Sequence, residues 1–225
     1  MKKILSLIIV CMMVFGVLSV TANAEIENPF TDVKSGKWYY DAVMEAYELG
    51  IMKGTSDTEF KPLGNMTRAQ VVTLLARLAG EEVTGCAPYA SFKDVKPNQW
   101  YADAVGWAVN RGLAGGYDDR TFKPNNPVKR QELAKLVVLF IEKQGLKSTA
   151  EPLVDKFADA KTFQSWAADY IEQLRLTGLV GGDGNGNFNP KNSATRAEFA
   201  TILMRFPKAE EEEERDKREG KNRIL

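Results

Sequence analysis

Three arginines stand where a helix tolerates a cation least. Arg68, Arg130 and Arg196 each open a helical segment: Thr67-Arg68-Ala69-Gln70, Lys129-Arg130-Gln131-Glu132 and Thr195-Arg196-Ala197-Glu198. A positive charge at the first helical position opposes the positive end of the helix dipole, at a cost of about 0.3–1 kcal/mol. An anion at the same spot would meet free helix amides and a planar guanidinium together. The chemistry on offer is recognition of an anion. Thirty residues before each arginine lies a tryptophan, Trp38, Trp100 or Trp166. Sixteen residues after each tryptophan comes a glycine, Gly54, Gly116 or Gly182, which would let a ligand approach the backbone closely. Asp32, Asp94 and Asp159 complete the recurring set. A structural role competes at each position. The arginines could pair internally with these aspartates, and the tryptophans could be core.

Other chemistry is narrowed by composition. The 225 residues include no histidine, which removes the commonest general base and the commonest zinc ligand. Two cysteines, Cys11 and Cys86, build neither a thiolate zinc site nor a disulfide scaffold. Thirty basic residues balance thirty acidic ones, against the basic face a nucleic-acid binder needs. No phosphate-binding Gly-x-x-x-x-Gly-Lys loop is present. Asp183-Gly184-Asn185-Gly186-Asn187 imitates the start of a calcium loop, but Phe188 and Ala194 stand where glycine and glutamate are required. We expect no metal, no cofactor, no nucleic-acid partner and no catalytic residue. A secreted hydrolase is disfavoured, because the repeats described next consume nearly all the chain.

These residues must be positioned by a unit used three times. After each tryptophan follow, at fixed distances, the glycine, then Phe60, Phe122 or Phe188, then Pro62, Pro124 or Pro190, then the arginine. Upstream lie Phe30-Thr31-Asp32, Phe92-Lys93-Asp94 and Phe157-Ala158-Asp159. Tyr39, Ala42, Val43, Ala46 and Tyr47 fall on one face of a first helix. Gly50, Gly112 and Gly178 supply its left-handed stop. The second helix begins with a capping box in repeats 1 and 3, whereas Lys129 lacks the cap hydroxyl in repeat 2. Val71, Leu74, Leu75 and Leu78 form its buried stripe; Leu133, Leu136, Val137 and Phe140, then Phe199, Ile202, Leu203 and Phe206, repeat it. Units of this size cannot bury enough apolar surface alone, so we expect one shared core. Head-to-tail contacts close or run on, and three units favour closure. The expected fold is all-α: three helix-loop-helix repeats, at 28–80, 91–145 and 156–207, packed as a pseudo-threefold bundle.

Both ends differ from the repeats. Lys2 and Lys3, the apolar run Ile4 to Val20 and Ala22-Asn23-Ala24 read as a signal peptide, residues 1–24, cleaved after Ala24. An uncleaved membrane anchor is the alternative; cleavage leaves no stable membrane insertion. Val10 before Cys11 argues against a lipoprotein. Cys86 remains as a single thiol, read as a linker residue, with intermolecular pairing as the alternative. The tail, 208–225, is a charge run with Glu211/Arg215, Glu213/Lys217 and Glu214/Arg218 at helical spacing. A solvated tail and a tail for a protein partner are its two readings.

Phe-x-Asp-Val, Trp, Gly-Ile/Leu, Gly, Phe-x-Pro and Thr-Arg-Ala-Glu, in this order, resemble the S-layer homology repeat, and the resemblance runs from about Asn28 to Pro207. It implies an all-helical three-repeat module that fastens exported proteins non-covalently to the bacterial cell envelope. The implied ligand is an anionic secondary cell-wall polysaccharide carrying pyruvate ketals, held in grooves between neighbouring repeats. Residue by residue, it implies ligand contacts by the three arginines and, less directly, by the tryptophans, glycines and aspartates named above. The implied location is secreted, at the cell wall or cell surface. Three departures put equal affinity at the three grooves in question: Gln70 for Glu, Lys129 for Thr, and Asp159-Ala160 for Asp-Val. A protein-interaction module of the envelope is the competing function.

Overall fold

A computed structural model of the chain describes residues 27–146 and 151–206. The expected signal peptide and charged tail lie outside the described residues. Six α-helices occur among the described residues: α1 Tyr40–Glu48, α2 Arg68–Ala79, α3 Ala102–Asn110, α4 Arg130–Gln144, α5 Ser165–Leu176 and α6, 196–206. Two short 3-10 turns occur, Ala87–Tyr89 within the first linker and Ala160–Thr162 early in the third repeat. There is no strand among the described residues, only isolated bridges, so the class is all-helical as expected.

The helix ends are set by local chemistry. Thr67 is extended, its hydroxyl accepts the Gln70 amide at 3.2 Å, and Gln70 Oε1 accepts the Thr67 amide at 2.9 Å. α6 repeats the box with Thr195 and Glu198. At α4 an ammonium cannot accept a proton. Only the reciprocal half forms there, from the Lys129 amide to Glu132 Oε2 at 2.9 Å. Gly50 and Gly112 take positive φ, 66° and 69°, just past α1 and α3, where a side chain would be strained.

The expected stripes are buried. Val43 and Ala46 of α1, and Val71 and Leu75 of α2, are fully enclosed. α2 buries more than one stripe, including Ala69, Val72, Ala76 and Ala79, because it serves two neighbours. It packs on α3 of the next repeat and also on α4; α4 in turn packs on α5. Phe140 of α4 meets Phe206 of α6 edge-on, ring centroids 6.3 Å apart. α2 and α4 thus each cover the first helix of the following repeat, so a repeat is a unit of sequence more than of packing.

The chain's ends of contact meet. The Met66 amide donates to the Ala194 carbonyl, Val128 to Met66, and Ala194 to Val128, each at 2.9 Å. All three residues are fully buried. These bonds run from repeat 1 to 3, 2 to 1 and 3 to 2, a closed cycle. A buried backbone amide left unpaired would cost about 1–3 kcal/mol, so the cycle ties the three loop-to-helix entries together.

Cys86 is a half-buried free thiol. Its carbonyl occupies the space where a side chain on Gly106 would stand, which lets the linker lie against α3.

Candidate functional site

The expected arginines meet the aspartate-held loops at the junctions between repeats. Each aspartate comes first, because it shapes the Phe-x-Pro loop. Asp32 accepts the amides of Phe60 and Lys61 at 2.9 and 2.7 Å. Asp94 does the same for Phe122 and Lys123, both at 2.8 Å, and Asp159 for Phe188 and Asn189, both at 2.8 Å. The middle residues Lys61, Lys123 and Asn189 are held at φ 57°, 57° and 56°. Two charge-assisted bonds to one carboxylate maintain that left-handed backbone. Phe60, Phe122 and Phe188 are buried beneath it.

The shaped loop then receives the arginine of the preceding repeat. Arg68 Nε donates to the Phe122 carbonyl at 2.9 Å, Arg130 Nε to Phe188 at 2.6 Å, and Arg196 Nε to Phe60 at 2.7 Å. Each guanidinium also lies over the ring of that phenylalanine, 4.6, 4.8 and 4.4 Å from its centroid. Among the described residues, none of the three arginines forms an ion pair with Asp32, Asp94 or Asp159. The internal Arg–Asp pairing weighed from sequence does not form, because those carboxylates are taken by backbone amides. Arg68 and Arg130 instead face acids of the next repeat. Arg68 Nη1 lies 3.6 Å from Glu132 Oε1, and Arg130 Nη1 pairs with Glu198 Oε1.

Arg196 differs. It is 9% exposed, and burial lowers its pKa, partly offset by nearby Asp32. Its Nη2 donates to the Lys53 carbonyl at 2.6 Å. Among the described residues it has no ion pair.

The glycines depart from expectation in their reason. A side chain on Gly54, Gly116 or Gly182 would stand 2.9, 2.8 or 2.8 Å from the carbonyl oxygen of Glu59, Thr121 or Asn187. The rings of Phe30, Phe92 and Phe157 press on the same side. On the side a Cβ would take, each glycine meets the protein itself, so these glycines shape the loop.

The tryptophans are not core. Trp38 and Trp100 are each 63% exposed and Trp166 is 44% exposed. Their neighbours Tyr39 and Tyr101 point inward and meet them edge-on. Trp166 belongs to α5, which packs against the Arg130-bearing α4, and Lys135 Nζ of α4 lies 6.0 Å from its ring centroid. Trp107, outside the repeat pattern, is buried and donates to Glu81 at 3.0 Å.

Glu132, Glu198 and Tyr117, not singled out from sequence, also stand at these junctions. Glu198 reads from sequence only as part of a capping box, and Glu132 follows a position that lacks the cap hydroxyl. Burial, and a hydrogen bond to Glu132 at 2.7 Å, push the Tyr117 hydroxyl up to about 12, so it stays a donor. The available signal was that a capping glutamate uses one oxygen and leaves the second for a neighbour. Among the described residues no acidic or thiol cluster could hold a metal ion, and no helix is long and apolar enough to cross a membrane.

Comparison with known proteins matches this arrangement three times over. The S-layer homology domain model matches residues 29–72, 91–134 and 156–200. The surface-layer 125 kDa protein of Lysinibacillus sphaericus is 32% identical over 187 residues, 82% of this chain and 15% of that protein. The cellulosome-anchoring protein of Acetivibrio thermocellus is 33% identical over 156 residues, 68% of this chain and 34% of that protein. An amylopullulanase of Thermoanaerobacterium thermosulfurigenes is 30% identical over 185 residues, 81% of this chain and 10% of the enzyme. The chain therefore spans a minor part of the length of these relatives. With its motifs matched in all three repeats, this chain belongs to the S-layer homology domain family.

Proposed function

We propose that this chain fastens to the bacterial cell envelope without a covalent bond, by holding a pyruvylated secondary cell-wall polysaccharide at the junctions between its repeats. Family membership, with surface-layer and cellulosome-anchoring relatives, supports the coarser statement that it is a cell-surface anchoring module. The enzyme relative shares only the stretch that the anchoring and surface-layer proteins also share, which favours a non-catalytic role here. One observation carries the finer reading. Three arginines are fixed at the inter-repeat junctions by a neighbouring loop, while the three repeat tryptophans stay exposed.

In this reading Arg68, Arg130 and Arg196 are the groups that meet a ketal carboxylate. A guanidinium already anchored through Nε has little freedom left to lose on binding. Trp38, Trp100 and Trp166 offer ring faces to the sugar. Asp32, Asp94, Asp159, Gly54, Gly116 and Gly182 hold the loops that hold the arginines.

The test is sedimentation of the exported chain with purified wall sacculi, before and after extraction of the polymer, and with polymer stripped of pyruvate. Binding should require both polymer and pyruvate. Undiminished binding to depyruvylated polymer, or to extracted sacculi, would refute the reading, the latter in favour of a protein receptor.

A further inference from the structure

The three junctions share one plan but not one charge. The residue three positions into the second helix has two tasks in repeats 2 and 3. Glu132 Oε2 caps α4 at the Lys129 amide, while Oε1 faces Arg68 and accepts from Tyr117. Glu198 Oε2 caps α6 at the Thr195 amide at 2.8 Å, while Oε1 pairs with Arg130. The matching residue in repeat 1 is Gln70. Its Oε1 accepts the Thr67 amide at 2.9 Å. That uses the only acceptor of the amide, and its other arm is a donor. Gln70 caps its helix as well as a glutamate does, but it cannot compensate a cation.

Arg196 is the arginine left without that compensation. It is buried, its Nε and Nη2 are bound to the Phe60 and Lys53 carbonyls, and Nη1 meets no acceptor among the described residues. A cleft of about 600 Å³ opens beside Lys53, lined also by Tyr47, Gly54, Glu48 and Asp57. Lys53, whose carbonyl holds Arg196 Nη2, thus links the guanidinium that lacks an ion pair to a cleft with space for a sugar ring.

We infer that Gln70 makes the junction of repeats 3 and 1 the dominant anion site of this protein. The carboxylate that the other two junctions take from the protein is taken, at this one, from the ligand. The reverse charge balance keeps Arg68 and Arg130 partly closed to anions. The inference rests on the arginines being the anion-holding groups.

The experiment uses glutamine–glutamate exchange, because both residues already cap second helices in this chain. Gln70→Glu, Glu132→Gln and Glu198→Gln are compared with the natural sequence in calorimetric titrations with a pyruvylated disaccharide. Arginine side-chain ¹⁵N spectra are followed in parallel during titration with pyruvate itself. Gln70→Glu should weaken the tightest site about tenfold or more, by the loss expected for a charge-assisted bond, without lowering the melting temperature. Glu198→Gln and Glu132→Gln should each open a further site. The Arg196 resonances should respond to pyruvate before those of Arg68 and Arg130. If Gln70→Glu binds like the natural sequence while alanine at the arginines abolishes binding, the ranking is wrong and the proposed function stands. If no arginine responds and no disaccharide binds, both fall.

Discussion

Lys129→Thr should make the protein more stable although it adds no apolar contact. Lys129 holds φ −77° and ψ 150°, close to the −85° and 158° of Thr67, so threonine enters without backbone strain. Its hydroxyl would accept the Glu132 amide as Thr67 and Thr195 accept theirs, both at 3.2 Å. Such a cap is worth about 1 kcal/mol. Removing a cation from a helix N-terminus adds about 0.3 kcal/mol for an exposed group, the low end of the dipole effect. The lysine side chain is exposed and makes no side-chain cap bond, so little is lost with it. The sum, somewhat over 1 kcal/mol, corresponds to a rise of about 2–5 °C in a chain of this size. Thermal melts followed by circular dichroism, with urea titrations to check the slope, measure it. An unchanged or lower melting temperature would show that the ammonium has a role of its own, and the capping argument would fail.

Gly116→Ala should destabilise by about 1–3 kcal/mol, since its new carbon would lie 2.8 Å from the Thr121 carbonyl. Gly184→Ala, in open space, should be neutral or slightly stabilising; equal urea midpoints for the two would contradict the packing account. Trp100→Ala should cut binding to pyruvylated polymer while changing stability by less than about 0.5 kcal/mol, because the ring is exposed. Asp183 is held at about 2 by hydrogen bonds from Asn187, Asn189 and Asn185, against about 3.9 in an unfolded chain. A depressed carboxylate contributes stability that is full above the unfolded value and is lost as pH falls through the folded one. The difference in melting temperature between the natural chain and Asp183→Asn should therefore shrink between pH 5 and pH 2, and a constant difference would count against these bonds.

The helices were legible because burial and periodicity report the same thing. Val71, Leu74 and Leu75 recur at helical spacing and are buried, and Thr67 and Thr195 cap where the capping box places them. The tryptophans were not legible, because Trp38 and Tyr39 are adjacent aromatics at a helix entry. Either could turn inward; the tyrosine does, and the tryptophan is left in water. The aspartates offered two partners of similar merit, an arginine or a pair of amides. The left-handed backbone at Lys61, Lys123 and Asn189 decides for the amides, and a Phe-x-Pro string does not announce that conformation.

What repeat spacing cannot express is which copy meets which. Arg68 lies 64 residues from Glu132 and Arg130 lies 68 from Glu198, while the acids nearest in sequence point elsewhere. Within a single repeat, Gln70 is a conservative replacement: the capping box closes, the helix starts at the same place, and the buried face is unaltered. Only across the junction does it change anything, because there a second oxygen is asked for and an amide has none to give. A residue that satisfies its own helix can therefore still decide the charge of its neighbour's site. For that reason exchanging Gln70 for glutamate is expected to alter binding rather than folding.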